Sequence, residues 1–155
     1  MKFEEFKNNV EKWASVRGIY EQSTEEHQQA KALEEVGEYI TSITVKERMD
    51  AIGDIAVCII NASKWNGGVK ILDNVNIGYE TIANITYYII NREYSKSITI
   101  LERLSRSNGF KFEDCLQMAW NSIKDRKGMM IDGKYVKYES MTEEQREEFN
   151  RRDKK

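Results

Sequence analysis

Two short runs of acidic residues carry the side chains of this chain that could do chemistry. The first run holds Glu34, Glu35 and Glu38, and the second holds Asp50 and Asp54. On a 3.6-residue helix the three glutamates fall within an arc of roughly 100°, and the two aspartates lie one turn apart on one face. Carboxylates that converge on one spot repel one another unless a cation neutralises them. The two runs therefore predict a site for a divalent cation.

The ligand chemistry of these runs favours Mg²⁺, with Mn²⁺ as a possible substitute. Hard oxygen ligands without Cys or His point to these ions rather than to zinc. A short connection, residues 41–46, lets the two helices pack as an antiparallel pair with their acidic faces towards each other. Gly37 and Gly53 stand beside the acids, and we expect them to permit this close approach of the two helices.

A solvated helix face is the usual explanation of a glutamate-rich run, and it remains open for the first run taken alone. The second run is different, because it lies in or beside residues 52–62, the most apolar stretch of the chain. Aspartate is a poor residue for a helix interior, and a buried polar group is costly. A mostly buried helix that keeps Asp50, Asp54 and Asn61 in line therefore favours a site.

Helical periodicity recurs along the chain, which contains no proline. We predict an all-α helical bundle, with a small hairpin over residues 130–136 whose turn is Asp132-Gly133. The fourth predicted helix, residues 77–91, could also form a strand, because it is rich in isoleucine, threonine and tyrosine. The predicted helices span about residues 2–15, 23–41, 45–64, 77–91, 96–107 and 112–126.

Residues 1–140 are predicted to form a single domain, followed by a charged tail, 141–155, that is a loose helix or disordered. The formal charge of −2 argues against bulk binding of nucleic acid. The chain has no apolar run of about 18 residues and no signal peptide at its first residues, so we expect no membrane span and a cytoplasmic protein. Cys58 and Cys115 are expected to be buried free thiols.

The spacing of the acidic runs resembles that of the MazG-like all-α nucleoside triphosphate pyrophosphohydrolases. Two further segments, residues 13–19 and 119–133, resemble phage-type members of this family, and the resemblance spans about residues 10–137. The central pattern is Gln28-x-x-Lys31-x-x-Glu34-Glu35-x-Gly37-Glu38, followed by Asp50-Ala51-Ile52-Gly53-Asp54 and Asn61.

The resemblance implies hydrolysis of a nucleoside triphosphate to the monophosphate and pyrophosphate with two or more Mg²⁺ ions. By position, Glu35, Glu38 and Asp54 match the metal-binding acids of the family. The family commonly has an acid where this chain has Ala51. We expect Asp50 to take its place as the fourth ligand, since residues i and i+4 share a helix face as well as residues i and i+3 do.

Three side chains near the acids have more than one possible role. Glu34 is a candidate general base, or else a surface residue or an extra ligand. Asn61 either donates to a phosphate or orients a ligand, or packs as a buried amide. Lys31 either pairs with Glu34 and Glu35 or reaches a phosphate.

Five further residues are candidates for substrate binding. Lys124, Arg126 and Lys127 suit the outer phosphates, although cations at the end of a helix also stabilise the helix dipole. Trp13 and Arg17 are candidates for stacking on the base or reading it, although a tryptophan on an apolar helix face is more often part of the core.

The leading functional prediction is a Mg²⁺-dependent hydrolase acting on nucleoside triphosphates. The alternatives are a dUTPase-like enzyme of the same fold that is specialised on one nucleotide, and a non-catalytic helical interaction module. The family generally dimerises or tetramerises, so the resemblance also implies a homodimer or homotetramer, with residues 77–91 as a candidate interface.

Overall fold

The computed structural model describes residues 1–76 and 78–154, and it confirms the predicted all-α class with a small hairpin. Ile77, with which the predicted fourth helix begins, and Lys155 lie outside the described residues. The elements in chain order are α1 (Phe3–Val16), α2 (Ile19–Gln22), α3 (Glu25–Thr41), α4 (Val45–Ser63), a 3₁₀ turn (Lys64–Asn66), α5 (Ile82–Ile90), α6 (Tyr94–Ser107), α7 (Phe112–Ile123), β1 (Gly128–Ile131), β2 (Lys134–Lys137), a 3₁₀ turn (Tyr138–Ser140) and α8 (Glu143–Asp153).

Helices α3 and α4 are neighbours in sequence and pack along each other. Threonine caps fix where both helices begin. The Thr24 hydroxyl accepts the His27 N–H at 3.2 Å, and α3 begins at Glu25, two residues after the predicted start at residue 23. At α4, Thr44 and Glu47 form a reciprocal capping box that satisfies two of the free N–H groups of the first turn.

The hydrophobic core is built around α4, which contacts α1, α3, α6 and α7. Its isoleucines are completely buried because they share the face of α4 that looks into the bundle. Burying such a side chain contributes about 1.5–3 kcal/mol to folding. These residues are Ile52, Ile55, Ile59 and Ile60.

The two glycines beside the acids do not serve the predicted close approach of α3 and α4. A Cβ atom on Gly53 would lie 2.5 Å from the Cys115 carbonyl oxygen and 2.7 Å from the Ala119 Cβ, so Gly53 brings α4 close to α7 instead. A Cβ atom on Gly37 would meet nothing within 4 Å. The prediction of a glycine-mediated contact between α3 and α4 is therefore wrong.

The segment predicted over 77–91 is helical, but α5 begins only at Ile82, after the cap at Thr81. Helix α7 ends at Ile123, three residues earlier than predicted, and leaves Arg126 in the turn that leads to β1. Cys58 and Cys115 are free thiols; Cys115 is buried as predicted, whereas Cys58 is only partly buried. Within residues 1–76 and 78–154, no helix combines the length and the apolar composition needed to cross a bilayer.

The hairpin and the last helix pack on the amino-terminal helices. Strands β1 and β2 pair antiparallel around Asp132-Gly133, and the Met130 N–H donates to the Arg17 carbonyl oxygen at 2.7 Å. Of the two states predicted for the tail, the helix is the one observed, and its Phe149 is only 1% exposed. The helix of the charged tail thus packs on the hairpin through Phe149, which clusters with Met129 and Met141.

Candidate functional site

A cavity of about 520 Å³ lies at the centre of the candidate site. Helices α1, α3 and α4, the turn after α7 and the hairpin all contribute to its walls. Six of the residues predicted for the site line this cavity: Trp13, Lys31, Glu35, Asp54, Asn61 and Arg126.

Glu35 of α3 and Asp54 of α4 form the acidic wall of the cavity. Burial, followed by the charges of Asp54, Glu38 and Glu34, raises the pKa of Glu35 to about 7. Burial, followed by the charge of Asp50, raises the pKa of Asp54 to about 6, against the opposing effect of Arg126. Both carboxylates are therefore held where their negative charge is unfavourable, which is the situation that a bound cation relieves.

Glu38 and Asp50 do not line this cavity. They face a neighbouring depression of about 300 Å³ between the end of α3 and the start of α4, in which Ala51 also lies. Their charges nevertheless reach the cavity, because Glu38 raises the pKa of both Glu35 and Asp54. Glu38 and Asp50 thus influence the pKa values of the two acids that line the cavity, although they themselves line the depression beside it.

The described residues hold no preformed group of three or more His, Cys, Asp or Glu side chains that could bind a metal ion. Mg²⁺ does not need such a cage. It usually keeps several waters and is bound by one or two carboxylates together with the phosphates of a substrate. Glu35 and Asp54 fit that mode of binding, since both are oxygen donors, both are partly buried, and both have raised pKa values.

Glu34 and Lys31 form an ion pair beside the acidic wall. The Lys31 ammonium lies 2.8 Å from Glu34 Oε2, and this hydrogen bond is the main cause of the raised pKa of Lys31. Glu34 is exposed and does not line the cavity, whereas Lys31 does. Lys31 was predicted either to pair with Glu34 and Glu35 or to reach a phosphate, and the structure shows the pair with Glu34.

Asn61 lines the cavity with its side chain 3% exposed, and a neighbour fixes its orientation. The Tyr20 hydroxyl donates to Asn61 Oδ1 at 3.0 Å. Burial, together with the charge of Glu11, raises the pKa of Tyr20, so the phenol keeps the proton that it donates. With its oxygen bound to Tyr20, Asn61 has its amide N–H groups left to donate.

Of the three cations predicted to bind the outer phosphates, only Arg126 is among the residues that line the cavity. Arg126 lines it and donates to Ser122 Oγ at 2.9 Å and to the Ser122 carbonyl oxygen at 3.1 Å. Lys124 follows the last residue of α7, and the Lys127 ammonium lies 5.8 Å from the centre of the Tyr138 ring. Neither lysine lines the cavity.

Trp13 and Arg17, predicted together for base recognition, differ in their placement. Trp13 lines the cavity, and its indole N–H donates to the Ile123 carbonyl oxygen at 2.9 Å. Arg17 is 3% exposed and does not line the cavity; it stacks on Trp13 at 4.5 Å and donates to the carbonyl oxygens of Trp13 and Arg126. The guanidinium of Arg17 is therefore engaged in the scaffold and is not directed at a base.

Several residues of the cavity wall were missed by the sequence-based selection. On α3 and just before it, Gln28 donates to Ser23 Oγ at 3.0 Å, and both line the cavity. The position of Gln28 in the family-like pattern was the available signal. Met130 and Gly133 lie in the family-like segment 119–133, which was the signal available for them, whereas Lys134 and Tyr135 lie beyond that segment and reach the cavity because the hairpin docks against α1 and α2. The missed residues include Ser23, His27, Gln28, Cys58, Met130, Gly133, Lys134 and Tyr135.

Comparisons with known proteins find no match to this chain, either among protein-family models, among curated sequences or among solved structures.

Proposed function

We propose that this chain is a Mg²⁺-dependent nucleoside triphosphate pyrophosphohydrolase of the MazG-like type, which cleaves an NTP or dNTP to the monophosphate and pyrophosphate. The observation that carries the proposal is the shared cavity of Glu35 and Asp54, in which two destabilised carboxylates face Lys31 and Arg126. Acids that hold a metal and cations that hold phosphates are what hydrolysis of a phosphoanhydride requires.

In the proposed enzyme Glu35 and Asp54 hold Mg²⁺, for which Mn²⁺ can substitute. Glu38 and Asp50, in the neighbouring depression, complete the ligand set for further metal. When bound, the metal supplies charge neutralisation on the phosphates and an activated water.

The remaining cavity residues bind and orient the substrate. Arg126 offers a forked guanidinium to the phosphate oxygens, and Ser122 holds that side chain in place. Lys31 adds a second positive charge, which Glu34 positions through their ion pair. Trp13 offers a fixed aromatic wall for a base, and Asn61 an oriented N–H donor. A cavity of about 520 Å³ is within the size range of small-molecule sites.

The proposal includes a homodimer or homotetramer. It is supported by apolar side chains that remain exposed on a single chain, at the α3–α4 turn and on α5: Ile40, Ile43, Val45, Tyr87 and Ile90. It also includes a cytoplasmic location, where nucleoside triphosphates are made and used.

The test is a screen of all NTPs and dNTPs with Mg²⁺ and with Mn²⁺, in which the products are resolved. We expect monophosphate and pyrophosphate from at least one nucleotide, and a rate at least about 100-fold lower for Asp54→Asn. Glu80→Gln, an exposed acid outside the cavity, is the control variant and should keep the wild-type rate. Products of diphosphate and phosphate, or an Asp54→Asn variant with full activity, would overturn the proposal.

A further inference from the structure

The β-hairpin forms one wall of the cavity with residues from its turn and from both strands. Gly133, Lys134 and Tyr135 line the cavity together with Met130. Lys134 is exposed at the start of β2, opposite Ile131. The cavity thus has a third cation besides Lys31 and Arg126, and it comes from an element whose residues the acidic motifs do not include.

Hydrogen bonds to Arg17, just after α1, and to the side chain of Gln22 on α2 fix the hairpin in place. The Met130 N–H donates to the Arg17 carbonyl oxygen at 2.7 Å, and Gln22 Nε2 donates to the Met130 carbonyl oxygen at 3.0 Å. The Gly133 N–H in the turn donates to Gln22 Oε1 at 3.2 Å. The turn that precedes Lys134 is therefore held at a fixed position relative to the cavity.

Close packing across the hairpin positions Tyr135 as well. A Cβ atom on Gly128 would lie 2.6 Å from Tyr135 Oη and 2.7 Å from the Val136 carbonyl oxygen. A Cβ atom here would collide with the backbone of β2 and would displace the Tyr135 ring. The half-exposed Tyr135 ring therefore lies against Gly128 of β1, and Tyr135 is the residue that follows Lys134.

The C-terminal helix α8 supports this wall from the other side. Phe149 is 1% exposed and clusters with Met129 and Met141. Its ring centre lies 5.7 Å from the Arg17 guanidinium, which also lies 4.5 Å from the centre of the Trp13 ring. Since Arg17 also donates to the Arg126 carbonyl oxygen at 3.2 Å, it links α8 to the segment that leads into the hairpin.

We propose that the hairpin is a phosphate-binding arm in which Lys134 contacts the triphosphate of the substrate, and that Phe149 is a positioning residue that holds the arm in place through Arg17. The inference rests on the proposed function for the identity of the ligand. It adds a phosphate-binding residue and gives the C-terminal helix a role in the site.

The first experiment measures binding of inorganic tripolyphosphate by calorimetry, in low salt and with Mg²⁺ present. We expect Lys134→Gln to weaken binding about tenfold, the effect of losing one charge-assisted contact. Lys137→Gln is the matched control, because Lys137 is an exposed lysine on the same strand that does not line the cavity, and it should bind as wild type does. Equal binding by the Lys134 and Lys137 variants would overturn the inference.

The second experiment separates positioning from general destabilisation by a double-mutant cycle. Phe149→Ala should weaken tripolyphosphate binding, and Lys134→Gln in that background should cause little further loss, because both changes remove the same contact. Phe149→Leu, which keeps an apolar side chain, should restore most of the binding. If the Lys134→Gln effect stays at its full size in the Phe149→Ala background, Phe149 does not position the arm.

The outcomes separate this inference from the proposed function. Tripolyphosphate binding that depends on Lys134, in a protein that hydrolyses no nucleotide, would support the arm and contradict the hydrolase. Nucleotide hydrolysis with normal KM in Lys134→Gln would support the hydrolase and contradict the arm. A wild-type protein that does not bind tripolyphosphate would overturn the arm whatever its activity.

Discussion

Asp54 on α4 and Glu35 on α3 form one acidic wall of the cavity, and the charge of Asp54 contributes to the raised pKa of Glu35. Burial is the larger cause of the raised pKa, and Arg126 on a third segment opposes the rise at Asp54. The bundle therefore holds two carboxylates where their charged forms are unfavourable, at some expense of stability. Such an arrangement is typical of functional sites, and most of our predictions depend on it.

The raised pKa values predict an unusual dependence of stability on pH. Between about pH 4.5 and 7 the folded state binds more protons at Glu35 than the unfolded state does, so the free energy of unfolding falls as the pH rises. Asp54 acts in the same direction between about pH 3.8 and 6. Without divalent cations, Glu35→Gln should be more stable than wild type at about pH 8 by about 1 kcal/mol, a value reduced by solvent screening.

Urea denaturation of both proteins at about pH 4 and pH 8 checks this prediction. At pH 4 the gain of the variant should disappear, because the wild-type carboxyl is then protonated in the folded protein. A Glu35→Gln variant that is less stable than wild type at pH 8 would show that the carboxylate is not destabilising there.

Addition of Mg²⁺ should stabilise the wild-type protein at pH 8. A cation that binds only the folded state adds about 2.7 kcal/mol at 100 times its dissociation constant. The double variant Glu35→Gln/Asp54→Asn should show no rise in melting temperature with Mg²⁺, while Glu80→Gln should show the full rise. A rise of equal size in the double variant would place the metal elsewhere.

Substitution by alanine should have opposite effects on stability at Gly53 and at Gly37. Gly53→Ala should destabilise the protein by about 1–3 kcal/mol or more, because its Cβ would collide with the Cys115 carbonyl oxygen of α7. Gly37→Ala should stabilise it by about 0.5–1 kcal/mol, since its Cβ meets nothing and alanine favours the helix. Thermal unfolding of the two variants measures both effects, and similar shifts of the same sign would contradict the packing of α4 against α7.

Glu34 and Glu35 are adjacent in sequence but should differ strongly in function. Glu35 lines the cavity, whereas the exposed Glu34 acts through its ion pair with Lys31. Exposed pairs of this kind contribute about 0.2–1 kcal/mol, so Glu34→Gln should lower kcat/KM by less than about tenfold. Glu35→Gln should lower it by at least about 100-fold. Steady-state kinetics of both variants decide this point, and a larger loss for Glu34→Gln would restore Glu34 as the general base.

Much of the fold follows from local patterns in the sequence. Apolar residues with a helical period and capping residues such as Thr44 place the long helices to within about five residues, whereas the short helix α2 was not predicted. The pairing of Glu35 with Asp54 could also be predicted, because it depends only on two helices joined by a short turn. The separation of Glu38 and Asp50 from the cavity could not, since it depends on how the end of α3 lies against α4.

Contacts between segments far apart in the sequence account for the other differences between the predicted and the observed structure. The sequence does not show whether the Arg17 guanidinium stacks on Trp13 and Phe149 or on a substrate, because either use suits an arginine next to aromatic residues. Nor does it show that Gly53 faces α7. The charged composition of residues 143–153 masks a single buried phenylalanine, which is enough to dock the last helix.

The most direct test of the proposed active site is the release of pyrophosphate from nucleoside triphosphates by wild-type protein and by Asp54→Asn, both shown by circular dichroism to be folded. We predict that the wild type releases pyrophosphate with Mg²⁺ and not with EDTA, and that the folded variant releases it at least about 100-fold more slowly. Equal release by the two proteins, or release that persists in EDTA, would contradict a metal-dependent site at Glu35 and Asp54.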